Sequence, residues 1–124
     1  MAGSFPWPEG RELFLYGVDL FNYGYYWEAH AAWERLWTVA PRSERAAVFL
    51  QGLIQVSAAL VKWRAGATGG ARRLGAKGLA KLRGQGSEGY RGVDVGRFVA
   101  EVVQFLEGGG PPPLLRMVPS GLSG

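Results

Sequence analysis

The sequence predicts an all-α protein with a single domain, built as a bundle of about five helices. In five successive segments, apolar residues recur every three or four positions, which is the period of a helix with one buried face. No segment alternates apolar and polar residues with the period of two that marks a strand. The chain has 124 residues, of which 48% are hydrophobic, so it is long enough to enclose one core.

The first two predicted helices are expected to pack as a pair. Pro8 suits a first helical position, and apolar residues then recur at helical spacing until Asn22 and Gly24 interrupt the pattern. The second helix is rich in aromatic residues. The spacing Gly24-x-Tyr26-x-x-Ala29 is typical of the turn and second-helix start in tetratricopeptide-type helix pairs. No second copy of this pair follows, so a repeat array is not predicted.

The third predicted helix is the central one of the bundle. Ser43 is a suitable N-cap, and the helix runs from there to Gly66. It is apolar on nearly every side, as expected of a helix that other helices surround. A narrow polar strip is the exception, formed by Glu44, Gln51, Gln55 and Lys62.

The fourth predicted helix begins near Gly69 and has two glycines, Gly75 and Gly78, on its buried face. Each glycine costs about 1 kcal/mol of helix stability relative to alanine. Close approach of a neighbouring helix is the expected compensation. A loop is predicted to follow at Gly84, Gly86 and Gly89.

Asp94 is the predicted N-cap of the fifth helix, and Val93 and Phe98 occupy the positions of a hydrophobic staple. Glycines and prolines after this helix end the regular structure. We therefore divide the chain into an all-helical domain, residues 1–108, and an extended tail, residues 109–124. Since the tail contains apolar residues such as Leu115, its first part is expected to lie along the bundle.

Composition excludes several classes of chemistry. The chain has no cysteine, which removes disulfides, thiolate nucleophiles and thiolate metal sites. The first residues contain no basic segment that leads into an apolar stretch, and no apolar run reaches the ~18 residues that a membrane span needs. We expect a cytoplasmic protein that does not associate with a membrane.

Several separated motifs resemble a known family. They are Phe21-Asn22-x-Gly24-x-Tyr26-Trp27-Glu28-Ala29-His30, then Glu34, Trp37 and Arg45, then Leu50-Gln51-Gly52-Leu53-Ile54-Gln55, and Gly70-Ala71-x-Arg73-Leu74. In order and spacing they are similar to the small prokaryotic family catalogued as domain of unknown function 309, from about residue 10 to residue 107. The resemblance implies an all-helical bundle and no established reaction. One position departs from it, because Ala31 stands where the family commonly has an acidic residue.

The candidate site is centred on the single histidine. His30 and Glu34 are neighbours at i, i+4 on one stripe of the second helix, which also contains Tyr23. Antiparallel packing of the second and third helices would bring this stripe to the glutamines of the third helix. The predicted polar cluster comprises Asn22, His30, Glu34, Arg45, Gln51 and Gln55, and the aromatic wall around it comprises Tyr26, Trp27, Trp33 and Trp37. We expect Glu34 and Gln55 to be buried in a hydrogen-bond network that fixes helix register.

Catalysis at the same place is an alternative. His30 paired with Glu34 is suited to acid/base chemistry, and the hydrolase type, metal-assisted or not, is the enzyme class considered. A zinc site needs at least three protein ligands, and the chain has neither a second histidine nor a cysteine. We therefore predict no metal and no cofactor.

The charge distribution favours a third interpretation. Eight basic residues and one acid lie between Lys62 and Arg91, whereas the whole chain has a net charge of +4. Four of these side chains are predicted to form a basic face on the fourth helix: Arg72, Arg73, Lys77 and Lys81. Such a face can bind nucleic acid or another polyanion through phosphates.

The favoured interpretation is a non-catalytic binding or interaction module with an internal polar cluster around His30 and Glu34. The enzyme and the polyanion-binding protein remain open as alternatives. The partner is unknown, and a homo-oligomer stays open.

Overall fold

The computed structural model describes residues 10–40, 45–85 and 92–118, and within these ranges the chain forms five α-helices. They are α1 (Arg11–Asn22), α2 (Tyr26–Val39), α3 (Arg45–Arg64), α4 (Thr68–Arg83) and α5 (Val95–Leu106). The described residues contain no strand, although Val93 and Met117 form an isolated antiparallel bridge. The prediction of an all-α bundle of about five helices is confirmed.

Some of the predicted helix ends and loop positions lie outside the described residues. They are Pro8, Ser43, Glu44, Gly86 and Gly89. Where the structure describes the predicted cap of α5, Asp94 accepts a hydrogen bond from the Arg97 N–H at 3.2 Å. Val93 and Phe98, the predicted staple, are both buried.

Helix α3 occupies the centre of the bundle. It packs against both α2 and α4, while α1 packs against α2 and α5 packs against α4. By length and composition α3 would suit a membrane span, but most of it is buried inside the protein, as in a core helix. The apolar pattern of α3 is therefore accounted for by contacts with its neighbouring helices.

Glycines with positive φ end three of the described helices and turn the chain sharply. They are Gly24 after α1, Gly66 after α3 and Gly108 after α5. After α3, the Gly66 N–H bonds to the Trp63 carbonyl at 3.0 Å and the Ala67 N–H bonds to the Lys62 carbonyl at 2.9 Å. This Schellman arrangement satisfies the last helical carbonyls and sets the direction in which α4 leaves.

A tryptophan and a glycine define how α1 and α2 pack. Trp33 is fully buried, and a Cβ added to Gly17 would overlap its indole ring. The indole N–H donates to the Phe14 carbonyl at 3.1 Å, so the polar atom of this large side chain is satisfied in the core.

A second pair of glycines allows α3 and α4 to approach closely. A Cβ added to Gly78 would lie 2.7 Å from the carbonyl oxygen of Gly52, and one added to Gly75 would lie 2.6 Å from Leu106 Cδ1. Both distances are too short for a real side chain. Gly78 thus permits the close contact of α4 with α3, and Gly75 permits a close contact with Leu106 at the end of α5.

The described part of the tail runs back along α5. Glu101 in the middle of α5 accepts the Leu114 N–H, and Asp94 at the start of α5 donates its N–H to the Arg116 carbonyl at 2.9 Å. Leu115 is buried in the same core as the helices.

Candidate functional site

His30 lies on α2 at the boundary between the core and the surface. Its side chain is 14% exposed, and its ring stacks on the indole of Trp27 with centroids 5.0 Å apart and planes 7° apart. The Nδ1 atom is buried and has no hydrogen-bond partner among the described residues. It lies 3.9 Å from Glu34 Oε1, which is beyond hydrogen-bond range. Stacking against Trp27 is therefore the contact that orients this imidazole.

Glu34 is not the buried network member that we expected. Its side chain is 51% exposed. It follows Trp33, which points into the core, and successive side chains are about 100° apart around a helix. Its position on α2 therefore places the carboxylate at the surface.

The glutamines of α3 do not join His30. Gln55 Oε1 accepts a hydrogen bond from Lys81 Nζ at 3.0 Å, so this side chain faces α4 rather than α2. The reason is the close contact of α3 with α4, because a Cβ built on Gly78 would lie only 3.1 Å from Gln55 Cβ. Gln51 is partly buried, and its side chain makes no hydrogen bond with a described residue.

Asn22 and Arg45, the remaining members of the predicted polar cluster, have other partners. The Asn22 carboxamide pairs with the backbone of Leu115 in the tail, and Arg45 donates to the side chain and the carbonyl of Gln85 at 3.0 and 3.1 Å. The six residues grouped from the sequence thus take part in separate contacts. The structure does not bring them together in one polar cavity.

The predicted aromatic wall is divided between core and surface. Tyr26 and Trp33 are buried, and Tyr26 packs edge-on against Phe21 with centroids 4.9 Å apart. Trp37 is partly buried, whereas Trp27 is largely exposed. These four rings therefore do not enclose a cavity around His30.

Three large aromatic side chains are exposed around the turn between α1 and α2, and we call them the aromatic surface. They are Tyr23, which is 81% exposed, Tyr25, which is 56% exposed, and Trp27, which is 60% exposed. Tyr23 is the C-cap of α1, so it does not extend the α2 stripe as the sequence suggested. His30 supports this surface from the side through its stack on Trp27.

Arg64, at the end of α3, holds the turn that carries the aromatic surface. Its Nη2 donates to the Gly24 carbonyl at 2.8 Å, and its guanidinium lies 4.6 Å from the centroid of the Tyr26 ring. Burial raises the pKa of the Tyr26 phenol, and the charge and hydrogen bond of Arg64 partly oppose that rise. This role is not apparent from the sequence, because Arg64 and Gly24 are 40 positions apart and no local pattern links them.

The helical hairpin α1–α2 is acidic on its outside. Within residues 10–40, the exposed carboxylates are Glu12, Asp19, Glu28 and Glu34, against the two arginines Arg11 and Arg35. Asp19 and Glu28 flank the turn on either side in the sequence. The hairpin therefore has more exposed acids than bases, while the guanidinium of Arg64, bonded to the Gly24 carbonyl, adds one positive charge at the turn.

The predicted basic face is only partly available to a ligand. Arg72 Nε donates to the Leu106 carbonyl at 2.9 Å, its guanidinium lies 5.3 Å from the centroid of the Trp63 ring, and Lys81 is bonded to Gln55. Arg73 and Lys77 are exposed and make no hydrogen bond or ion pair with the described residues.

The described residues also form one open depression that is suited to a small ligand. An open depression of about 200 Å³ between α4 and α5 is mostly apolar and is lined by Arg72, Ala76, Leu79, Val103, Leu106 and Glu107. It does not include His30. Within the described ranges, no three histidine, aspartate or glutamate side chains are grouped so as to hold a metal ion.

Together, the fold and these contacts define a small all-α bundle with three exposed aromatic side chains around one helix–helix turn. Residues 14–74, from α1 into α4, match the family model described as Domain of unknown function (DUF309), and the resemblance to that family is confirmed over this segment. The matched segment is shorter than the range of the resemblance expected from the sequence. It contains the aromatic surface and Arg64, and it ends before α5. A search of curated proteins finds no match.

Proposed function

We propose that this protein is a non-catalytic binding module that uses the aromatic surface to hold a protein segment rich in lysine or arginine. The observation that supports this most strongly is the exposure of Tyr23, Tyr25 and Trp27 around one turn. Tyrosine and tryptophan dominate the energetically important positions of protein interfaces, because they bury a large area with few rotatable bonds.

The rigidity of the turn supports the same proposal. Arg64 bonds to the Gly24 carbonyl, and His30 stacks on Trp27, so the aromatic side chains are carried by a fixed backbone. A platform that is already ordered loses less conformational entropy when a partner binds.

Charge and ring chemistry favour a cationic partner segment. Asp19 and Glu28 are exposed on either side of the turn. Cations are attracted to aromatic faces, by about 0.5–1 kcal/mol at exposed sites. The side chain of Arg64 over Tyr26 shows this chemistry within the protein itself. Complementary charge also raises the rate of association.

The enzyme interpretation has less support. His30 Nδ1 is buried and has no hydrogen-bond partner in the described part of the chain, and Glu34 is half exposed with its Oε1 3.9 Å away. A general acid or base is expected to lie within hydrogen-bond reach of its partner groups. We therefore assign His30 the role of positioning Trp27.

Selection of peptides from a random displayed library tests the proposal. Peptides that bind the wild-type protein are expected to be enriched in arginine and lysine, and their affinity should fall at least tenfold with Trp27→Ala. Val39→Ser is the matched control, because Val39 is 65% exposed on the same helix but follows Trp27 by more than three turns. Isothermal titration calorimetry measures the peptide affinity of both variants. Failure to enrich any sequence, or equal loss of affinity in both variants, would contradict the proposal.

Polyanion binding is a second candidate function. It is favoured by Arg73 and Lys77, which are exposed and make no hydrogen bond or ion pair with the described residues. Such side chains bind phosphates through their charge, and these contacts do not depend on the base sequence.

The expected cytoplasmic location stays a prediction.

A further inference from the structure

The imidazole of His30 covers one face of an indole that belongs to the aromatic surface. The rings of His30 and Trp27 are nearly parallel, with centroids 5.0 Å apart and planes 7° apart. Trp27 makes no other ring contact with a described residue, and it is 60% exposed. A cation of a partner that binds to a face of this indole must therefore use the face opposite His30.

The imidazole is able to change its charge in this position. His30 is the only histidine of the chain, and histidine is the side chain whose charge ordinarily changes between pH 5 and pH 8. Its Nδ1 atom is buried and has no hydrogen-bond partner in the described part of the chain. Glu34 Oε1 lies 3.9 Å from Nδ1, and the Glu34 side chain is half exposed. This carboxylate can therefore move to accept the N–H that Nδ1 presents when the ring is protonated.

The helices packed against α2 add no ion pair with His30. These helices are α1 and α3. Within the described residues, Glu34 is the one charged side chain within ion-pair distance of the imidazole. The charged and titratable side chains of the three helices are Arg11, Glu12, Tyr16 and Asp19 on α1, Tyr26, Glu28, Glu34 and Arg35 on α2, and Arg45, Lys62 and Arg64 on α3.

Protonation of His30 changes the surface that a cationic partner meets. An imidazolium on one face of the Trp27 indole is attracted by the same ring electrons that attract a cation to the other face. The two positive charges also repel each other across the ring. In addition, the negative charge of Glu34 is then balanced by the imidazolium and attracts the partner less. All three effects have the same sign, because each weakens the binding of a cation.

We infer that His30 makes the aromatic surface sensitive to pH, so that a cationic segment binds more tightly while His30 is neutral than when it is protonated. This inference rests on the proposed function and adds the condition under which the partner is released. The affinity is expected to fall about three- to tenfold between pH 8 and pH 5.5. This is the effect of one unit charge at roughly 8–10 Å, at an effective dielectric constant between the values for a protein surface and for water.

Nuclear magnetic resonance of the free protein during a pH titration tests the coupling of the two rings. Because the chain has one histidine, the ring C–H signals of His30 are assigned without variants. The Trp27 indole N–H signal should move with pH and have the same midpoint as the His30 signals. The Trp63 indole, which contacts Phe105 and Arg72, is the internal control and should move much less. A Trp27 signal that does not follow His30 would overturn the inference, whether or not a peptide binds.

Calorimetry with an oligoarginine peptide that has blocked ends tests the effect on binding. Arginine keeps its charge at pH 5.5 and at pH 8, so the probe itself does not titrate. The wild-type protein and Val39→Ser, which alters an exposed residue at the other end of α2, should both lose about three- to tenfold in affinity at pH 5.5. In His30→Gln the ratio of the two affinities should be close to one, because glutamine carries no charge at either pH.

The outcomes separate this inference from the proposed function. Equal affinity at both pH values in the wild-type protein would overturn the inference and leave the proposed function standing, as would an unchanged pH dependence in His30→Gln. Absence of peptide binding at both pH values would contradict the inference and the proposed function together. Should His30→Gln fail to fold, the wild-type affinities and the titration of the two rings decide.

Discussion

Asn22 shows how one side chain can satisfy a segment far away in the sequence. Its carboxamide has one donor and one acceptor in the right arrangement to pair with both backbone groups of Leu115. Glu34, which the sequence places on the same helical stripe as His30, is half exposed, and its side chain makes no hydrogen bond with a described residue. At the residue scale, the polar groups that matter for stability are therefore those with partners on distant elements.

The first prediction contrasts these two residues. Asn22→Ala leaves two backbone groups of Leu115 without partners in a partly buried position, so it should destabilise the protein by about 1–3 kcal/mol. Glu34→Ala should change the free energy of unfolding by less than about 0.5 kcal/mol. Urea denaturation of both variants measures this. An equal loss in both would mean that Glu34 is part of a network after all.

The second prediction concerns how the stabilising effect of the Glu101 carboxylate depends on pH. Burial opposes ionisation of Glu101, but the Leu114 N–H and the guanidinium groups of Arg116 and Arg97 outweigh it and lower the pKa of Glu101. A carboxylate with a lowered pKa stabilises the folded state above the ordinary glutamate pKa of about 4.3, and this stabilisation is lost as the pH falls through the lowered value.

Glu101→Gln should therefore reduce the melting temperature at pH 7 and have a much smaller effect at pH 3. Glu107→Gln is the control, because Glu107 is exposed at the C-cap of α5 and makes no ion pair with a described residue. Differential scanning calorimetry at both pH values measures the difference. A pH-independent effect would show that the Glu101 charge does not hold the tail.

At the scale of elements, glycines decide how the helices meet. Helix α4 contains glycines that lower its intrinsic stability, yet two of them allow contact with α3 and α5 at distances that no Cβ would tolerate. The same reasoning applies to Gly17, where the Trp33 indole fills the space of a missing side chain. Loss of helix propensity is thus offset by packing.

The third prediction tests this compensation. Gly78→Ala raises helix propensity by about 1 kcal/mol, but its methyl group would clash with the Gly52 carbonyl, so a net destabilisation of about 1–3 kcal/mol is expected. Gly69→Ala in the same helix meets only the end of the Arg73 side chain at 3.6 Å and should be neutral or stabilising. Chemical denaturation compares the two. Stabilisation by Gly78→Ala would refute the close crossing.

The fourth prediction separates the two halves of the basic face. If α4 binds polyanions, neutralising Arg73 and Lys77 should weaken binding to a labelled duplex and reduce the salt slope by about one unit for each lost contact. Neutralising Arg72 and Lys81 should instead lower thermal stability, since these side chains bond to Leu106 and Gln55. Fluorescence anisotropy at several salt concentrations measures binding. Absence of binding at low salt would remove this candidate function.

For the whole molecule, helical periodicity and turn glycines predict the fold, because both are local properties of the chain. Gly24, Gly66 and the cap at Asp94 all act where the sequence indicates. The predicted polar site is not formed. Its members were grouped on the assumption that the polar strips of α2 and α3 face each other. The contact of α3 with α4 turns Gln55 to Lys81, and the tail engages Asn22.

The aromatic surface belongs to the aromatic-rich stretch that includes His30. The exposure of its side chains, however, depends on tertiary structure. A run of aromatic residues at helical spacing is usually core, and here Tyr26 and Trp33 do belong to the core while Trp27 does not. Arg64 joins this site only because α3 ends beside the turn. Neither fact follows from local spacing.

The most direct test of the proposed binding role is nuclear magnetic resonance of the ¹⁵N-labelled protein during titration with a selected cationic peptide. Each of the five tryptophan indoles gives its own signal, assigned from single Trp→Phe variants. The Trp27 indole and the backbone amides of Tyr23, Tyr25 and His30 should shift, and the Trp33 indole, which is buried and bonded to Phe14, should not. Shifts centred on Arg73 and Lys77 or on the tail around Leu115, with the Trp27 signal unmoved, would contradict the account.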